Sequence, residues 1–418
     1  MALKHPILIA GGGPVGVIAA LALARQGLEV RVYEAMDAVN ESPRASTTHP
    51  ATLEMLAGLD LLDEVVKRGL VARTFQFWDR PTGRMVAEFD HEILKDDTRY
   101  PFVVQCEQHK IAKMAIERLR AMPNAQVTFS AKAESLRQFD DRVELTLQTA
   151  QGRESVTGSY LVGADGGRST VRKALGIDFE GYTFPERFLV LTTPVDFHAE
   201  FGAGFRSYFS DPDEWANLFK VAGEDGSGLW RSVFPAVAGD TDEQVLSDEA
   251  VQRRLNKFFP KTDAYKVTHR NIYNVHQRVA AKFREGRVFL AGDSAHVNNP
   301  IGGLGLNCGI HDAVELAALL GAVVKDELPE TALSRYDARR RPINIEYVQQ
   351  QTIANKKRLE EKDNTAREAN FDFLRKTAAD PKAHRAFLLR TSLLESVRKQ
   401  GPITAKTLSQ PAEHPHLS

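Results

Sequence analysis

Residues 7 to 34 constrain the fold more than any other stretch of the chain. Ile7 to Ala10 is a short apolar run, Gly11, Gly13 and Gly16 supply G-x-G-x-x-G, and Val15 to Gln26 patterns as a helix closed by Gly27. Val30, Val32 and Glu34 then form a second strand. The glycines divide the work physically. Gly11 makes the tight turn, Gly13 lets a pyrophosphate approach the backbone, and Gly16 lets helix and sheet pack closely. Pro14 and Val15 open a helix whose unpaired amides suit phosphate oxygens. Glu34 is placed to accept both hydroxyls of an adenosine ribose, which predicts the ADP half of FAD or NAD.

Two later strand ends repeat the theme. Tyr160 to Gly163 is apolar and stops at Gly163-Ala164-Asp165-Gly166 before a basic helix carrying Arg168 and Arg172. Arg287 to Ala291 stops at Gly292-Asp293 before a glycine-rich loop with Pro300, and Gly309 to Leu320 reads as a helix whose N-terminal amides face the same space. Either pair, taken alone, is also compatible with an ordinary turn. Arg44 follows the first βαβ unit in a polar loop and Gln105 sits at a strand-to-helix junction; each can contact a cofactor or be a solvated or capping side chain.

Gly11 to Gly16 with Glu34, then Gly163 to Gly166 with Arg172, then Gly292-Asp293 with His296, Pro300, Gly303, Gly305, Leu306 and Asn307, make the chain resemble the single-component flavoprotein aromatic hydroxylases, the p-hydroxybenzoate hydroxylase family, over roughly residues 5 to 350. The resemblance implies an α/β protein: a Rossmann-like FAD-binding fold interrupted by an antiparallel substrate sheet, with a helical C-terminal region. It implies that the first motif binds the ADP of FAD, that Asp165 serves FAD and the nicotinamide cofactor, and that Asp293 holds the ribityl or pyrophosphate part. Pro300 resembles the proline beside the flavin ring, and Leu306-Asn307 the backbone pair at its pyrimidine end. Arg44 and Gln105 match FAD-contacting positions less closely. The chain lacks the W-x-W-x-I-P of flavin-dependent halogenases and shows no thioredoxin-like C-terminal domain.

The expected division is 1-180 and 277-325 for the FAD-binding domain, 181-276 for the substrate sheet, 326-400 for C-terminal helices, and a disordered tail over 401-418. In the middle segment, period-two alternation puts Arg206 and Tyr208 on one face of a strand, so that an anion-binding guanidinium and a phenol can meet one ligand. The bland alternative is a solvated face; Asn217 and Arg231 are further substrate candidates of the same kind. Single helices are expected over 51-62 and 243-259, and RYDARRRP at 335-342 is expected on a solvated surface.

With 54 basic against 55 acidic residues, no nucleic-acid partner is expected. Two cysteines, Cys106 and Cys308, give neither a CxxC pair nor a zinc site, so no metal is expected. Lack of a cleavable leader or of a second long apolar run predicts a cytoplasmic protein without membrane insertion; homodimerisation stays open.

The function implied is FAD-dependent hydroxylation of a small aromatic or heteroaromatic compound with NADH or NADPH and O2, through a flavin C4a-hydroperoxide. Tyr208 is the first candidate base, His296 the second, and Pro300 accompanies the reacting ring. With no second G-x-G-x-x-G, NAD(P)H is expected to dock transiently. The rivals are an NAD(P)-dependent dehydrogenase, which leaves the two later motifs without a role, and a flavoprotein reductase or non-catalytic ligand-binding flavoprotein.

Overall fold

The computed structural model describes residues 3–236 and 239–402, so the expected disordered tail lies, from residue 403, outside the described residues. Ile7–Ala10 is central to a six-stranded sheet ordered Arg284–Glu285, Val288–Leu290, Tyr160–Gly163, Ile7–Ala10, Val30–Tyr33, Ala125–Thr128. All neighbours are parallel except the short pair at the first edge. Ile7–Ala10 and Tyr160–Gly163 are buried at every residue, as continuous apolar runs require of strands covered on both faces. Register then does the functional positioning. The carboxyl ends of four adjacent strands bring Asp293, Asp165, Gly11 and Glu34 to one edge of the sheet, where ligands of open α/β sheets bind.

The helices Pro14–Ala24 and Gly305–Val324 pack on each other behind that edge. The second was expected only over 309 to 320. It continues through Gly309 because Gly309 is buried against Val15 and Gly292, where a Cβ would lie 2.7 Å from Val15 Cγ2. Contrary to expectation, this 20-residue helix is long and apolar enough to cross a membrane; 72% of its apolar window is buried within the protein, as befits a core helix.

An eight-stranded sheet forms the second layer, in the order His296–Val297, His269–Ala280, Phe179–Thr193, Leu229–Pro235, Ala216–Val221, Arg206–Ser210, Thr74–Asp79, Arg84–Asp90. It exceeds the expected 181-276 unit. The hairpin Thr74–Asp79/Arg84–Asp90 comes from the N-terminal part and pairs in parallel with Arg206–Ser210, which would otherwise be an open edge. The helix expected over 51-62 ends at Gly58, before Asp60 at φ 56°, and a further helix, Leu62–Arg68, follows it; the helix expected over 243-259 is two, Asp242–Leu246 and Asp248–Phe258, which part at Ser247, whose side chain accepts from Ala250 N to cap the second. Pro342 lies in Arg335–Ile343 and is followed by a π-helical turn, Asn344–Gln349. The helices beyond it are not a solvated annex: Leu359, Phe371, Leu374 and Leu388 are buried in one apolar cluster with Phe75, Phe77 and Tyr208 of the sheet.

Candidate active site

The cradle is built from glycines that cannot be replaced and one that is left open. Gly11 has φ 109°, and a Cβ there would lie 2.3 Å from the Ala164 carbonyl; a Cβ on Gly16 would meet the Gly11 carbonyl at 2.0 Å. These two make the joint between helix and strands. Gly13, by contrast, would meet nothing within 4 Å, so the space beside it is free for a ligand. Gly13 caps the Pro14–Ala24 helix without a side chain, and Pro14 occupies its first turn. The amides of Val15 and Gly16 therefore have no partner inside the helix. Glu34 accepts from Gly12 N at 2.5 Å and Met36 N at 2.9 Å, which fixes its carboxylate at the mouth with lone pairs to spare.

Asp293 faces the same cleft. It is exposed by area yet enclosed on most sides, and that enclosure raises its carboxyl pKa while nearby His296 and Arg44 pull it down. The Arg44 carbonyl accepts from Arg231 Nη1 at 3.2 Å. Gln105 is fully buried; its Oε1 accepts from Thr47 Oγ1 at 2.9 Å, while its Nε2 has no protein partner. Gly305, Leu306 and Asn307 occupy the first turn of the Gly305–Val324 helix, so their amides also lack intrahelical partners. The Asn307 side chain is spent on structure, donating to the carbonyls of Thr47 at 2.8 Å and Gly303 at 2.6 Å. An open glycine face, an orphaned buried amide and two uncapped helix N-termini on one edge fit the phosphates and polar rim of FAD.

Asp165 is engaged within the fold. Its carboxylate accepts from Ser169 Oγ at 2.5 Å, Thr170 N at 2.7 Å and Val171 N at 3.1 Å, so it caps the short helix Thr170–Ala174. Arg172 joins the second motif to the third, donating to the Ser294 carbonyl at 2.9 Å.

Beyond the glycine-rich loop lies a cavity lined by Phe75, Phe77, Arg206, Tyr208, Ile301, Gly302, Leu304, Gln351, Asn355, Leu359, Phe387 and Thr391. Arg206 and Tyr208 share its face, as the alternation predicts. Arg206 is 7% exposed, sits 5.0 Å from the Phe75 ring centroid, and donates to Tyr208 OH at 3.1 Å and the Gly302 carbonyl at 3.1 Å. Among the described residues no carboxylate pairs with it. Gln351, Asn355, Phe387 and Thr391 come from helices in which the sequence shows no binding signature; only the i, i+4 spacing of the two amides hinted at a shared face.

Several expected site residues lie elsewhere. Asn217 pairs across from Tyr208 but does not line the cavity. Arg231 does not either: it lies 4.0 Å from Glu107 and holds the Arg44 carbonyl, fastening sheet to cradle. Pro300 is exposed beside the cleft, outside the cavity wall. His296 is wholly buried 2.8 Å from Asp312. Burial alone would depress its pKa, but Asp312 outweighs this and pushes it up to about 10. A buried imidazolium away from the cavity cannot take a ring proton, which corrects its assignment as a base. Arg340, expected on a solvated face, is 1% exposed and donates to the other Asp312 oxygen at 2.7 Å. His296, Cys308 and Asp312 do converge, but Arg340 also contacts Cys308 Sγ at 3.2 Å, and a guanidinium in that shell opposes a cation.

The family model described as FAD binding domain matches residues 4–351. Para-nitrophenol 4-monooxygenase of Pseudomonas sp. (strain WBC-3) is 34% identical over 94% of this chain and 96% of its own length. 6-Hydroxy-3-succinoylpyridine 3-monooxygenase of Pseudomonas putida (strain DSM 28022 / S16) is 34% identical over 86% of this chain and 90% of its own. The crystal structure of p-nitrophenol 4-monooxygenase from Pseudomonas putida DLL-E4 superposes with a TM-score of 0.88 at 33% identity, covering 95% of this chain and 98% of that one.

Proposed function

This chain belongs to the FAD binding domain family and is an FAD-dependent aromatic monooxygenase, and from that premise we propose that its substrate is a small phenol or hydroxypyridine bound as an anion, with NADH or NADPH as electron donor. The observation that carries this reading is Arg206: a buried guanidinium without a counter-ion, in an aromatic cavity bounded by the glycine-rich loop. Burying an unpaired charge costs several kcal/mol, and an anionic ligand relieves that cost. The two relatives carry names that place oxygen on the ring carbon bearing the nitro or succinoyl group, para to the hydroxyl; the same regiochemistry is proposed here.

Gly11, Gly13, Val15, Gly16 and Glu34 would hold the nucleotide of FAD, and Asp293, Gln105 and the amides of Gly305 to Asn307 its central and ring portions. When bound, FAD supplies the activation of dioxygen and the oxygen that is transferred. The residues of the chain do the rest. Phe75 and Phe77 wall the ring and exclude water. Tyr208 OH accepts from Arg206 Nε, which leaves its own hydrogen to donate to an oxyanion in the cavity. Arg206 and Tyr208 together therefore stabilise a phenolate and lower the pKa of a bound phenol. On this reading Tyr208 is a donor that holds the ionised ring, and the proton leaves on binding without a dedicated side-chain base.

A screen of 4-substituted phenols and hydroxypyridines for stimulated NAD(P)H and O2 consumption, with product mass, tests the proposal. The expected result is stimulation by ionisable compounds, one oxygen gained by the ring, and none by their O-methyl ethers. Equal stimulation by the ethers, or by no compound at all, would overturn it.

A further inference from the structure

His49 lies between cradle and cavity, 1% exposed. Its backbone amide donates to Asn307 Oδ1 at 2.8 Å, and its Nε2 is 2.9 Å from the Gly302 carbonyl. A carbonyl only accepts, so Nε2 carries the hydrogen; Nδ1 then presents a lone pair and has no protein partner. Burial, with Arg206, His91 and His311 adding to it, holds the imidazole pKa well below the usual range and keeps the ring neutral. The same Gly302 carbonyl accepts from Arg206 Nη2 at 3.1 Å.

Gly302 is the turning point of this arrangement. Its carbonyl belongs to the peptide whose amide, Gly303 N, donates to the Pro300 carbonyl at 3.0 Å, and Gly302 and Gly303 adopt φ 109° and 68°. Side chains add to this hold: Asn355 Nδ2 donates to the Ile301 carbonyl at 3.2 Å, Asn307 to the Gly303 carbonyl, and His49 to the Gly302 carbonyl itself. Arg206 has its Nε committed to Tyr208 and one Nη2 hydrogen to Gly302, which leaves further donors on the guanidinium for a ligand.

We propose that His49 is a positioning residue for substrate capture: it fixes the Gly302 carbonyl, which fixes the plane of Arg206, so that the unspent edge of the guanidinium is offered to the anionic ring. His49 touches no substrate and acts through two hydrogen bonds in series. The inference rests on the proposed function in taking the cavity as the anion site, and the experiment separates the two.

Dissociation constants of 4-nitrophenolate and of uncharged 4-nitroanisole are measured on the FAD-loaded protein for wild type, His49→Leu, His49→Gln and Arg206→Leu. His49→Leu is expected to weaken 4-nitrophenolate about tenfold while leaving 4-nitroanisole and FAD binding unchanged, and His49→Gln, which keeps an N–H donor, is expected to restore affinity. Nitrophenolate binding by His49→Leu equal to wild type, or equal loss of both ring compounds, would overturn the positioning role. Arg206→Leu that keeps full nitrophenolate affinity would instead overturn the anionic-substrate reading. A measurement on the wild type covers a leucine variant that does not fold: the ¹⁵N spectrum of His49, identified through His49→Gln, is expected to show a neutral ring protonated at Nε2, and the Nδ1 tautomer or a cation would defeat the proposal.

Discussion

Arg340 and Arg206 lie at nearly the same depth, 1% and 7% exposed, and are treated in opposite ways. Arg340 donates to Asp312 at 2.7 Å, to the Cys308 carbonyl at 3.2 Å and to Gln400 Oε1 at 3.0 Å, and Asp312 in turn holds His296. Arg206 meets a phenol, a peptide carbonyl and aromatic faces. Both ions were taken out of water at comparable cost, but only the first was given its counter-charge within the fold. A completed network stabilises the native state; an uncompensated one marks where a ligand of opposite charge completes it. The first network is the brace behind the Gly305–Val324 helix, and the second is the floor of the proposed substrate cavity.

The largest expected effect tests the brace. Arg340→Met leaves Asp312 with His296 as its remaining counter-charge and strips a donor from the Cys308 carbonyl, so chemical denaturation is expected to show a loss of about 3–5 kcal/mol. Arg206→Leu, which removes a charge without orphaning a partner charge, is expected to leave the unliganded protein equally stable or more so. If Arg206→Leu proved the more destabilising of the two, the comparison would break.

Next comes the pH dependence of the brace. His296 is held near 10, above its ordinary 6.5, because Asp312 favours the imidazolium. The stabilisation is therefore complete below about 6.5 and is lost as pH rises through about 10. Thermal unfolding of wild type from pH 7 to 10 should fall more steeply than that of His296→Gln; parallel curves would show that His296 is not charged in the fold.

The third effect sharpens the division between cradle and cavity. Glu34→Ala is expected to weaken FAD by about 1.5–3 kcal/mol, the scale of a hydrogen bond to a charged group, and Arg206→Leu to weaken an anionic ring by a similar amount while FAD affinity stays at the wild-type value. Paired titrations with FAD and 4-nitrophenolate read both. Losses that failed to separate, each variant weakening both ligands, would mean that cradle and cavity are one site energetically.

Much of this was legible in advance. Gly11, Gly13 and Gly16 occupy the expected turn with Glu34 at the end of the next strand, and the Arg206–Tyr208 face lines the cavity as period-two alternation predicts, because turn chemistry and strand period are written locally in the chain. Other features depend on partners far along the chain. His296 looks like a base beside the flavin until Asp312, sixteen residues on, is found against its ring. RYDARRRP looks like solvated charge, yet Arg340 within it is core, since its partner comes from a helix about thirty residues earlier.

Taken by itself, the sequence determined the parallel βαβ frame and the order of the three glycine motifs, because turn chemistry and strand periodicity are local and tolerate few solutions; FAD as cofactor followed from the family resemblance those motifs carry. Only the tertiary structure decided which buried charges are paired, that the C-terminal helices wall the cavity with Gln351, Asn355 and Thr391, and that His49 and Arg206 share one carbonyl. Those facts depend on side chains brought together across tens to hundreds of residues, where the energy of burying a charge or hydrogen bond is set by the partner met in space and leaves no periodic trace in the chain.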